Sequence, residues 1–359
     1  MKRMAVILLL CLAFGAESSF AQSLSNGDGD LRVMTYNANE GTDFLEVEQA
    51  GTTTQFLLAV GQTITQVRET KPPERMQALA TQIASASPML VSLQEIDKWY
   101  TGSFDPTTGT CGATTLEFDM LQDLLGALAA QGAHYQVAAQ VQELAFPPTP
   151  GLILPATFLC VAVADYNVIL ARTDLDPSKF QWNNPQSGTY ANKVLLPTPI
   201  GLVPIFRAWV SVDVAFHKHS FRFIDTHLES GSAAIRELQG GELRSGPANT
   251  SLPVIVAMDS NAQAFPMPQD PTYVDFLNAG YNDAWNEIFP ADPGLTCCQA
   301  ELDNNPVSQL SQRVDLLLLW GNVAAQNIAL FGADPSVLTA SGLWPSDHAG
   351  VAAQVVVGQ

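Results

Sequence analysis

The chain has 359 residues, 47% of them hydrophobic, so it can bury a sizeable core and is not intrinsically disordered. Its 35 Asp and Glu residues outnumber its 16 Lys and Arg residues, which gives a formal net charge of -19. This charge repels nucleic acid and anionic membranes at long range, which excludes tight, non-specific binding to either. A polyanionic substrate would have to be bound locally, by a cation or by a few placed basic side chains.

The first residues predict a secretory signal. A basic start precedes an apolar run over residues 4–14, and small residues at positions 19 and 21 suit cleavage. The alternative is a membrane anchor, but a spanning helix needs about 20 apolar residues, more than this run supplies. We therefore expect residues 1–21 to be a signal peptide, residues 22–30 to be a polar leader, and the protein to be exported, either to the periplasm or out of the cell.

The next elements alternate between strands and helices. Period-two alternation predicts strands, apolar spacing of three to four residues predicts helices, and two consecutive prolines typically begin a helix. A Gly, Thr and Pro-rich loop is predicted over residues 101–115. In chain order we expect a strand over 31–36 that ends at Asn37, helices over 42–70 and from Pro72, a strand over 89–95 that ends at Glu95, a helix over 116–128 and a strand from His134.

The segment FPPTPGLILPATF, residues 146–158, is apolar and contains four prolines. We interpret it as a loop, for which two roles stay open. It either packs over the core of its own domain, or it faces a substrate or a membrane surface.

The second half of the chain is richer in strands. Residues 173–204 are predicted to be a Pro, Asn and Gly-rich connection, and the HKHS run between two strands is typical of a hairpin turn. Strands interleaved with helices, without a clear linker, indicate one domain in which two sheets pack together and helices cover them. We expect strands over 158–172, 205–216, 221–230, 252–258, 313–320 and 351–357, and helices over 231–246 and 271–280.

The four cysteines beyond the signal could form two disulfides in an exported protein, by any of three pairings. Adjacent Cys297 and Cys298 are not expected to bond each other, because a bond between neighbours is strained. No CxxC pair with zinc spacing occurs, so a structural zinc site is not expected.

Polar clusters follow several of the predicted strands. One such cluster alone, for example the Asp-Ser-Asn that ends the apolar strand LPVIVAM, is typical of a turn. Five clusters at strand ends indicate a shared site, because a rigid sheet holds its end loops together. The residues are Asn37, Glu95, His227, Asp259 with Asn261, and Asp347 with His348.

These fragments occur in a family's order. YN, LQE, YNVILAR, THLES, MDSN, RVDLLL and SDH follow one another over residues 31–357, and this series resembles the endonuclease/exonuclease/phosphatase superfamily. That superfamily includes pancreatic deoxyribonuclease, the apurinic-site endonucleases and the neutral sphingomyelinases. The resemblance implies a deoxyribonuclease I-like catalytic domain over residues 31–359, a four-layered α/β sandwich of two packed mixed β-sheets flanked by helices.

The resemblance also implies a metal-dependent phosphoester hydrolase of phosphodiesterase or nuclease type, in which Mg²⁺ assists the attack of water. Carboxylate and amide oxygens are the ligands that this hard cation prefers. The implied metal residues are Asn37, Glu95 and Asp347, with Mn²⁺ or Ca²⁺ as alternative ions.

The resemblance assigns the proton transfers to two histidines. His348 would orient or deprotonate the attacking water, and Asp315 would hold its imidazole. The residues themselves support this pair, because Asp315 stands in an apolar strand and a buried carboxylate without a partner is costly. His227 would bind the phosphate and protonate the leaving group.

Three further residues are assigned by the resemblance. Asp259 and Asn261 would position the nucleophile and a non-bridging phosphate oxygen, and Asn167 would lie near the phosphate. One residue departs from the pattern, since Asn39 stands where apurinic-type nucleases often have an Asp. The missing charge puts a second metal and the apurinic activity in doubt.

The substrate class stays open between nucleic acid and a phospholipid headgroup of the sphingomyelinase type. Export and the apolar segment 146–158 favour a lipid, and the family's most frequent activity favours nucleic acid. A third alternative is a non-catalytic binding relative, which predicts decayed motif residues, whereas nearly all are intact here. We expect a monomer and find no sign of a protein partner.

Overall fold

A computed structural model of the protein describes residues 30–155 and 157–358. The predicted signal peptide, and the predicted leader as far as residue 29, lie outside the described residues. The strands are β1 (Leu31–Asn37), β2 (Leu90–Gln94), β3 (Lys98–Gly102), β4 (Phe104–Asp105), β5 (Thr110–Cys111), β6 (Thr115–Asp119), β7 (Tyr135–Ile153), β8 (Thr157–Arg172), β9 (Phe180–Thr189), β10 (Val194–Thr198), β11 (Gly201–Ile205), β12 (Ala208–Phe216), β13 (His219–His227), β14 (Val254–Asp259), β15 (Asn282–Asp283), β16 (Asp315–Trp320), β17 (Val323–Phe331) and β18 (Gly350–Val357). The helices are α1 (Leu45–Glu48), α2 (Thr53–Glu69), α3 (Pro72–Ala86), α4 (Met120–Ala130), α5 (Ala233–Ser245), α6 (Pro271–Asn278) and α7 (Ala284–Ile288).

The strands form two large mixed sheets. The first has the order β17-β18-β1-β2-β8-β3-β6, with β7 paired to β8, and the second has the order β15-β16-β14-β13-β12-β9. Each contains one parallel pair, β1 with β2 and β13 with β14, among antiparallel neighbours. Short hairpins β4–β5 and β10–β11 stand apart from both.

Alternation along the strands divides the apolar side chains between layers. Val33 of β1 and Ile255 of β14 belong to the core between the two sheets. Their neighbours Met34 and Val256 face outward, where α3 and α4 cover the first sheet and α5 and α6 cover the second. The four-layered sandwich predicted from the sequence is therefore confirmed.

The topology brings the polar strand ends together. Asn37, the last residue of β1, lies beside Gln94 at the end of the parallel strand β2, so Glu95 follows at the same edge. His227 ends β13 beside Asp259, which ends β14. Strand β16 runs antiparallel to β14, so its first residue, Asp315, lies opposite Asp259.

The interpretation of residues 146–158 as a loop is wrong. Strand β7 continues to Ile153 and pairs along its length with β8, which begins at Thr157. Pro147 and Pro148 fall at a register shift, and β7 pairs with no strand other than β8 among the described residues, so a proline without an N–H is tolerated there. The segment packs on α2, where the Cα of Gly61 faces the backbone of Leu152.

Three other expectations need correction. The helix expected from residue 116 begins only at Met120, because the Asp119 side chain caps it by accepting the Gln122 N–H, and the preceding residues form β6. The loop expected over 101–115 contains the β4–β5 hairpin. The connection expected over 173–204 contains β9 and the β10–β11 hairpin.

The cysteines pair as Cys111 with Cys160 and Cys297 with Cys298. The second pair contradicts the expectation that neighbours do not bond. The reason lies in the fold, because β5 brings Cys111 beside β8 and leaves Cys297 and Cys298 only each other among the cysteines described. Across residues 30–155 and 157–358, no helix is long and apolar enough to cross a membrane.

Candidate active site

The loop after β1 and the loop after β2 meet at Glu95. Asn37 donates its side-chain N–H to Glu95 Oε1 at 2.7 Å and to Asp259 Oδ2 at 3.0 Å, so one amide ties the two sheets together. The backbone N–H of Glu40 donates to Glu95 Oε2 at 3.1 Å. Glu95 has a φ of 54°, an uncommon conformation for a residue with a side chain, and such positions cluster at functional sites.

His348 and Asp315 form a buried pair, as the sequence predicts. His348 Nδ1 lies 2.8 Å from Asp315 Oδ2. Its Nε2 atom lies 3.8 Å from Asp259 Oδ2 and 4.0 Å from Asp347 Oδ2. Because Asp315 occupies Nδ1, the second ring nitrogen is the one directed at the site.

The carboxylates around His348 set its charge. Burial lowers the pKa of the imidazole, but Asp315, Asp347 and Asp259 outweigh burial and raise that pKa well above its usual value. On a carboxyl group burial acts in the opposite direction. It raises the pKa of Asp315 to about 6, although His348 opposes the shift.

His227 lies between the two sheets' acidic groups. Its Nε2 atom is 3.6 Å from Asp259 Oδ2 and 3.9 Å from Glu95 Oε1, and its Nδ1 atom is 3.2 Å from Glu143 Oε1. Burial and Arg207 lower the pKa of His227, yet Glu143 and Asp259 outweigh them and raise it to about 9. This raised pKa favours the cationic form of His227 at neutral pH.

Asp259 and Asn261 hold this centre together. The Asn261 N–H donates to Asp259 Oδ1 at 2.9 Å, and the Asn261 side-chain nitrogen lies 2.9 Å from His227 Nε2. Burial raises the pKa of Asp259, but His348 and His227 lower it by more than burial raises it, so the net shift is downward. Asn261 also has a positive φ, of 48°.

Ser346 positions Asp347 at the site. The Ser346 hydroxyl donates to the Asn37 carbonyl at 2.7 Å and accepts the His348 N–H at 3.1 Å, which fixes the Asp347 backbone beside the end of β1. Asp347 is about a quarter exposed at its side chain and lines the cleft.

Asn167 lies one layer behind the cleft. It is fully buried, and its side-chain N–H groups donate to Glu143 Oε2 at 2.9 Å and to the Ala208 carbonyl at 3.0 Å. Its contacts orient Glu143, so a direct contact between Asn167 and the phosphate stays a prediction.

Sequence reasoning missed Glu143 and Arg207. The Arg207 Nη1 atom lies 2.8 Å from both Glu143 Oε1 and His227 Nδ1. The signal for Arg207 was a lone arginine in the apolar run IFRAWV, and Glu143 had none, because β7 reads as an ordinary exposed strand there.

Sequence reasoning also missed the support beneath Asn39. Asp303 accepts both Asn39 side-chain contacts, at 3.2 and 3.0 Å, and lies 3.4 Å from Arg75. Arg75 is fully buried and donates to the carbonyls of Ala38 and Asn39. Asn39 thus donates hydrogen bonds to the Asp303 carboxylate, which an Asp at position 39 would repel.

A cleft of about 790 Å³ begins at Glu95, His227 and Asp347 and continues between α2 and the β10–β11 hairpin. Phe44 stacks on Trp99 with ring centroids 6.0 Å apart and meets Phe146 at 5.7 Å. The apolar walls of the cleft come from α1, α2, β7, β8 and the β10–β11 hairpin. Among the described residues that line the cleft, the basic ones are Arg207 and His227, and the acidic ones are Glu40, Asp43, Glu48, Glu95, Asp165, Glu229, Glu301 and Asp347.

No protein-family model matches the chain, and no curated protein matches it. Solved structures are similar over nearly the whole chain. An endonuclease/exonuclease/phosphatase family protein from Bacteroides thetaiotaomicron has 14% identity and a TM-score of 0.55, covering 92% of this chain and 98% of that one. Truncated TDP2 from Caenorhabditis elegans has 16% identity and a TM-score of 0.51, with coverage of 92% and 98%. A mannosyl-6-phosphatase from Bacteroides thetaiotaomicron has 15% identity and a TM-score of 0.51, with coverage of 91% and 99%.

At these identities the likeness establishes the fold. Together with the confirmed layers and sheet order, it shows that the chain has the deoxyribonuclease I-like fold of the endonuclease/exonuclease/phosphatase family.

Proposed function

We propose that the protein is an exported, Mg²⁺-dependent phosphodiesterase whose substrate carries a bulky apolar group beside the phosphate, as a lipid phosphodiester does. The observation that carries the proposal is the cleft, which joins the polar centre to apolar walls without a break. Its volume of about 790 Å³ suits a small-molecule group. Export rests on the sequence of residues 1–21, and the enzyme acts as a monomer.

The polar centre fits a hard divalent cation. The Glu95 carboxylate accepts N–H groups from Asn37 and Glu40 and keeps further lone pairs directed at the cleft. Glu95 would hold the ion, with Asn37 and Asp347 beside it, and Mn²⁺ or Ca²⁺ are alternatives to Mg²⁺. When bound, the ion supplies charge stabilisation for the phosphoryl oxygens.

His348 prepares the attacking water. In its neutral form, with Nδ1 bonded to Asp315, the imidazole presents Nε2 as a proton acceptor next to Asp259. The surrounding carboxylates raise the pKa of His348, and a cation bound beside them would lower that pKa again. A water held between Asp259 and His348 would lose its proton to Nε2 as it attacks the phosphorus. Such general-base help contributes roughly 10²- to 10⁴-fold to a rate.

His227 and Arg207 supply positive charge on the other side. The raised pKa of His227 favours its protonated form at neutral pH, in which Nδ1 faces the Glu143 carboxylate at 3.2 Å and Nε2 is free to donate to the substrate. The imidazolium would donate a hydrogen bond to a non-bridging phosphate oxygen. It would then transfer its proton to the departing oxygen as the phosphorus–oxygen bond breaks. Donors that are already in place stabilise developing charge strongly in such a site.

The charge of the cleft argues against nucleic acid as the substrate. Eight carboxylates line it among the described residues, against Arg207 and His227 as basic groups, whereas a nucleic-acid groove needs basic side chains along its backbone path. The apolar walls instead suit acyl or similar groups. A non-catalytic relative is disfavoured because the polar residues at the strand ends are present and in contact.

The test compares three substrates side by side with Mg²⁺: sphingomyelin in mixed micelles, plasmid DNA and bis-p-nitrophenyl phosphate. We expect sphingomyelin and the small diester to be hydrolysed and DNA to be cut slowly or not at all. Preferential cutting of DNA would replace the lipid proposal by a nuclease.

A matched pair of leucines isolates the cleft. Leu202 lies in the β10–β11 hairpin, 67% exposed and lining the cleft, whereas Leu238 on α5 is 51% exposed and outside it. Leu202→Asp should lower sphingomyelin turnover about tenfold, since burying a leucine contributes roughly 1.5–3 kcal/mol. Leu238→Asp should leave it unchanged, and equal losses in both variants would remove the cleft from the account.

A further inference from the structure

Three carboxylates meet beside the cleft, apart from the centre described above. Glu40 follows β1, Asp97 follows β2, and Asp165 lies in the middle of β8. One oxygen of each lies within 4.8 Å of the others. Three segments distant in the sequence thus place their acids at one point.

Asp97 has no protein partner for its charge. Its side chain is fully buried, and neither of its oxygens accepts a hydrogen bond. One oxygen of Asp165, which is 3% exposed, also has no partner. An ionised carboxylate buried without a donor costs several kcal/mol, so these groups either keep a proton, which Asp97 and Asp165 can share, or bind a cation.

Nearby cations do not supply this compensation. Arg207 donates to Glu143, and Lys98, the residue after Asp97, pairs with Asp119 at 2.8 Å. The neighbouring backbone is also used, since the Trp99 indole N–H donates to the Glu40 carbonyl at 3.1 Å.

We infer that Glu40, Asp97 and Asp165 bind a second divalent cation, of the Ca²⁺ type, in the wall of the cleft. Ca²⁺ takes oxygen ligands at roughly 2.3–2.6 Å, so any two of its ligands stand at most about 5 Å apart, and the three oxygens, which all lie within 4.8 Å of one another, meet this limit. Mg²⁺ suits the position less, because it retains several waters and the two aspartates are buried.

The site has a structural consequence for the catalytic centre. Asp165 lies next to Glu143, which contacts both Arg207 and His227. The bound ion would fasten the loops after β1 and β2 to β8 and hold Glu143 in position.

The experiment measures binding, so it does not depend on the proposed activity. Metal-free Glu95→Gln protein, in which the catalytic carboxylate is neutral, is titrated with Tb³⁺ while the tryptophans are excited. Trp99 is buried and its indole contacts the Glu40 backbone, so an ion in the cluster should give sensitised emission that Ca²⁺ displaces. The same protein should show a higher melting temperature with Ca²⁺.

Variants separate this cluster from other acids. Adding Asp97→Asn or Asp165→Asn should lower the Tb³⁺ affinity at least tenfold and abolish the Ca²⁺ effect on melting. Glu40→Gln, at the half-buried rim, should weaken binding in the same direction, and it is the variant to use if the buried ones fail to fold. Asp43→Asn, in the exposed group Asp43, Glu46 and Glu301, is the matched control and should bind as tightly as its parent.

Two results would overturn the inference. If the Glu95→Gln protein gave neither saturable Tb³⁺ emission nor stabilisation by Ca²⁺, Asp97 and Asp165 would share a proton and bind no cation. The site would lie elsewhere if Asp43→Asn removed the signal and Asp97→Asn did not.

Discussion

The contact between His348 and Asp315 illustrates how one residue determines the state of another. Asp315 lies at the start of a buried strand, so its charge requires a partner, and His348 Nδ1 is 2.8 Å away. The same contact fixes which nitrogen faces the cleft. This pair could be predicted from the sequence because the cost of an unpaired buried carboxylate requires it.

Asp315→Asn should lower kcat by roughly 10²- to 10⁴-fold with little change in KM, because the ring loses the partner that sets its tautomer and orientation. The measurement is steady-state hydrolysis of bis-p-nitrophenyl phosphate. Asp270→Asn is the control, since Asp270 caps α6 and bonds Arg236 outside the cleft. A variant Asp315→Asn with wild-type kcat would remove Asp315 from the mechanism.

The buried carboxyl group of Asp225 should make the free energy of unfolding depend on pH. It is fully buried, Gln94 donates to one oxygen at 2.8 Å and the other has no partner, and burial raises its pKa well above the usual value. Between the unfolded pKa of about 3.9 and the raised folded pKa, the folded state binds more protons than the unfolded one. The contribution of Asp225 to the free energy of unfolding is therefore present at low pH and lost as the pH rises.

Asp225→Asn should thus gain stability relative to wild type as the pH rises from about 5 to 8, measured by denaturant unfolding in EDTA. The control is Asp213→Asn. Arg222 and Asn184 hold the pKa of Asp213 low against the opposing effect of burial, so this group stays ionised throughout that range. Its difference from wild type should be constant. A constant difference for Asp225→Asn as well would contradict the argument.

At the scale of elements, the main strands and helices could be predicted, but the second half of β7 and the β10–β11 hairpin, which line the cleft, could not. Strands such as β1 and β14 are buried on both faces and show it in their composition. Strand β7 carries prolines and alternating exposure, and the β10–β11 hairpin pairs only with itself, so neither has a core pattern. The sequence predicts a strand from His134 but loops over residues 146–158 and over the hairpin, because tertiary pairing, rather than periodicity, makes those segments strands.

The contact between α2 and β7 depends on Gly61. A Cβ there would lie 2.3 Å from the Leu152 carbonyl oxygen, so Gly61→Ala should destabilise the protein by roughly 1–3 kcal/mol through overpacking. Gly126, in α4, is the matched control, since its Cβ would meet nothing within 4 Å. Gly126→Ala should stabilise by about 0.5–1 kcal/mol from helix propensity. Thermal unfolding of both variants checks this, and a neutral Gly61→Ala would show that the helix can shift away.

At the scale of the whole molecule, the fold explains why the centre was visible in the sequence and its surroundings were not. Strand ends that converge in space are recognisable as polar residues after apolar runs, as at Asn37 and Asp259. Glu143, Arg207 and Asp303 reach the site from an edge strand and two loops, where a charged residue is usual. The acidic net charge of -19 and the apolar cleft both support the proposed lipid phosphodiester over nucleic acid as the substrate.

The central claim is that divalent-metal-dependent phosphoester hydrolysis takes place at the centre formed by Glu95, His227 and His348. Its most direct test is the rate of bis-p-nitrophenyl phosphate hydrolysis by EDTA-treated protein as Mg²⁺ is added back. The account predicts no turnover without the ion, a saturable rise with it, and no rise in Glu95→Gln or His348→Ala protein of unchanged circular dichroism. Full activity in EDTA, or a wild-type response from Glu95→Gln, would contradict it.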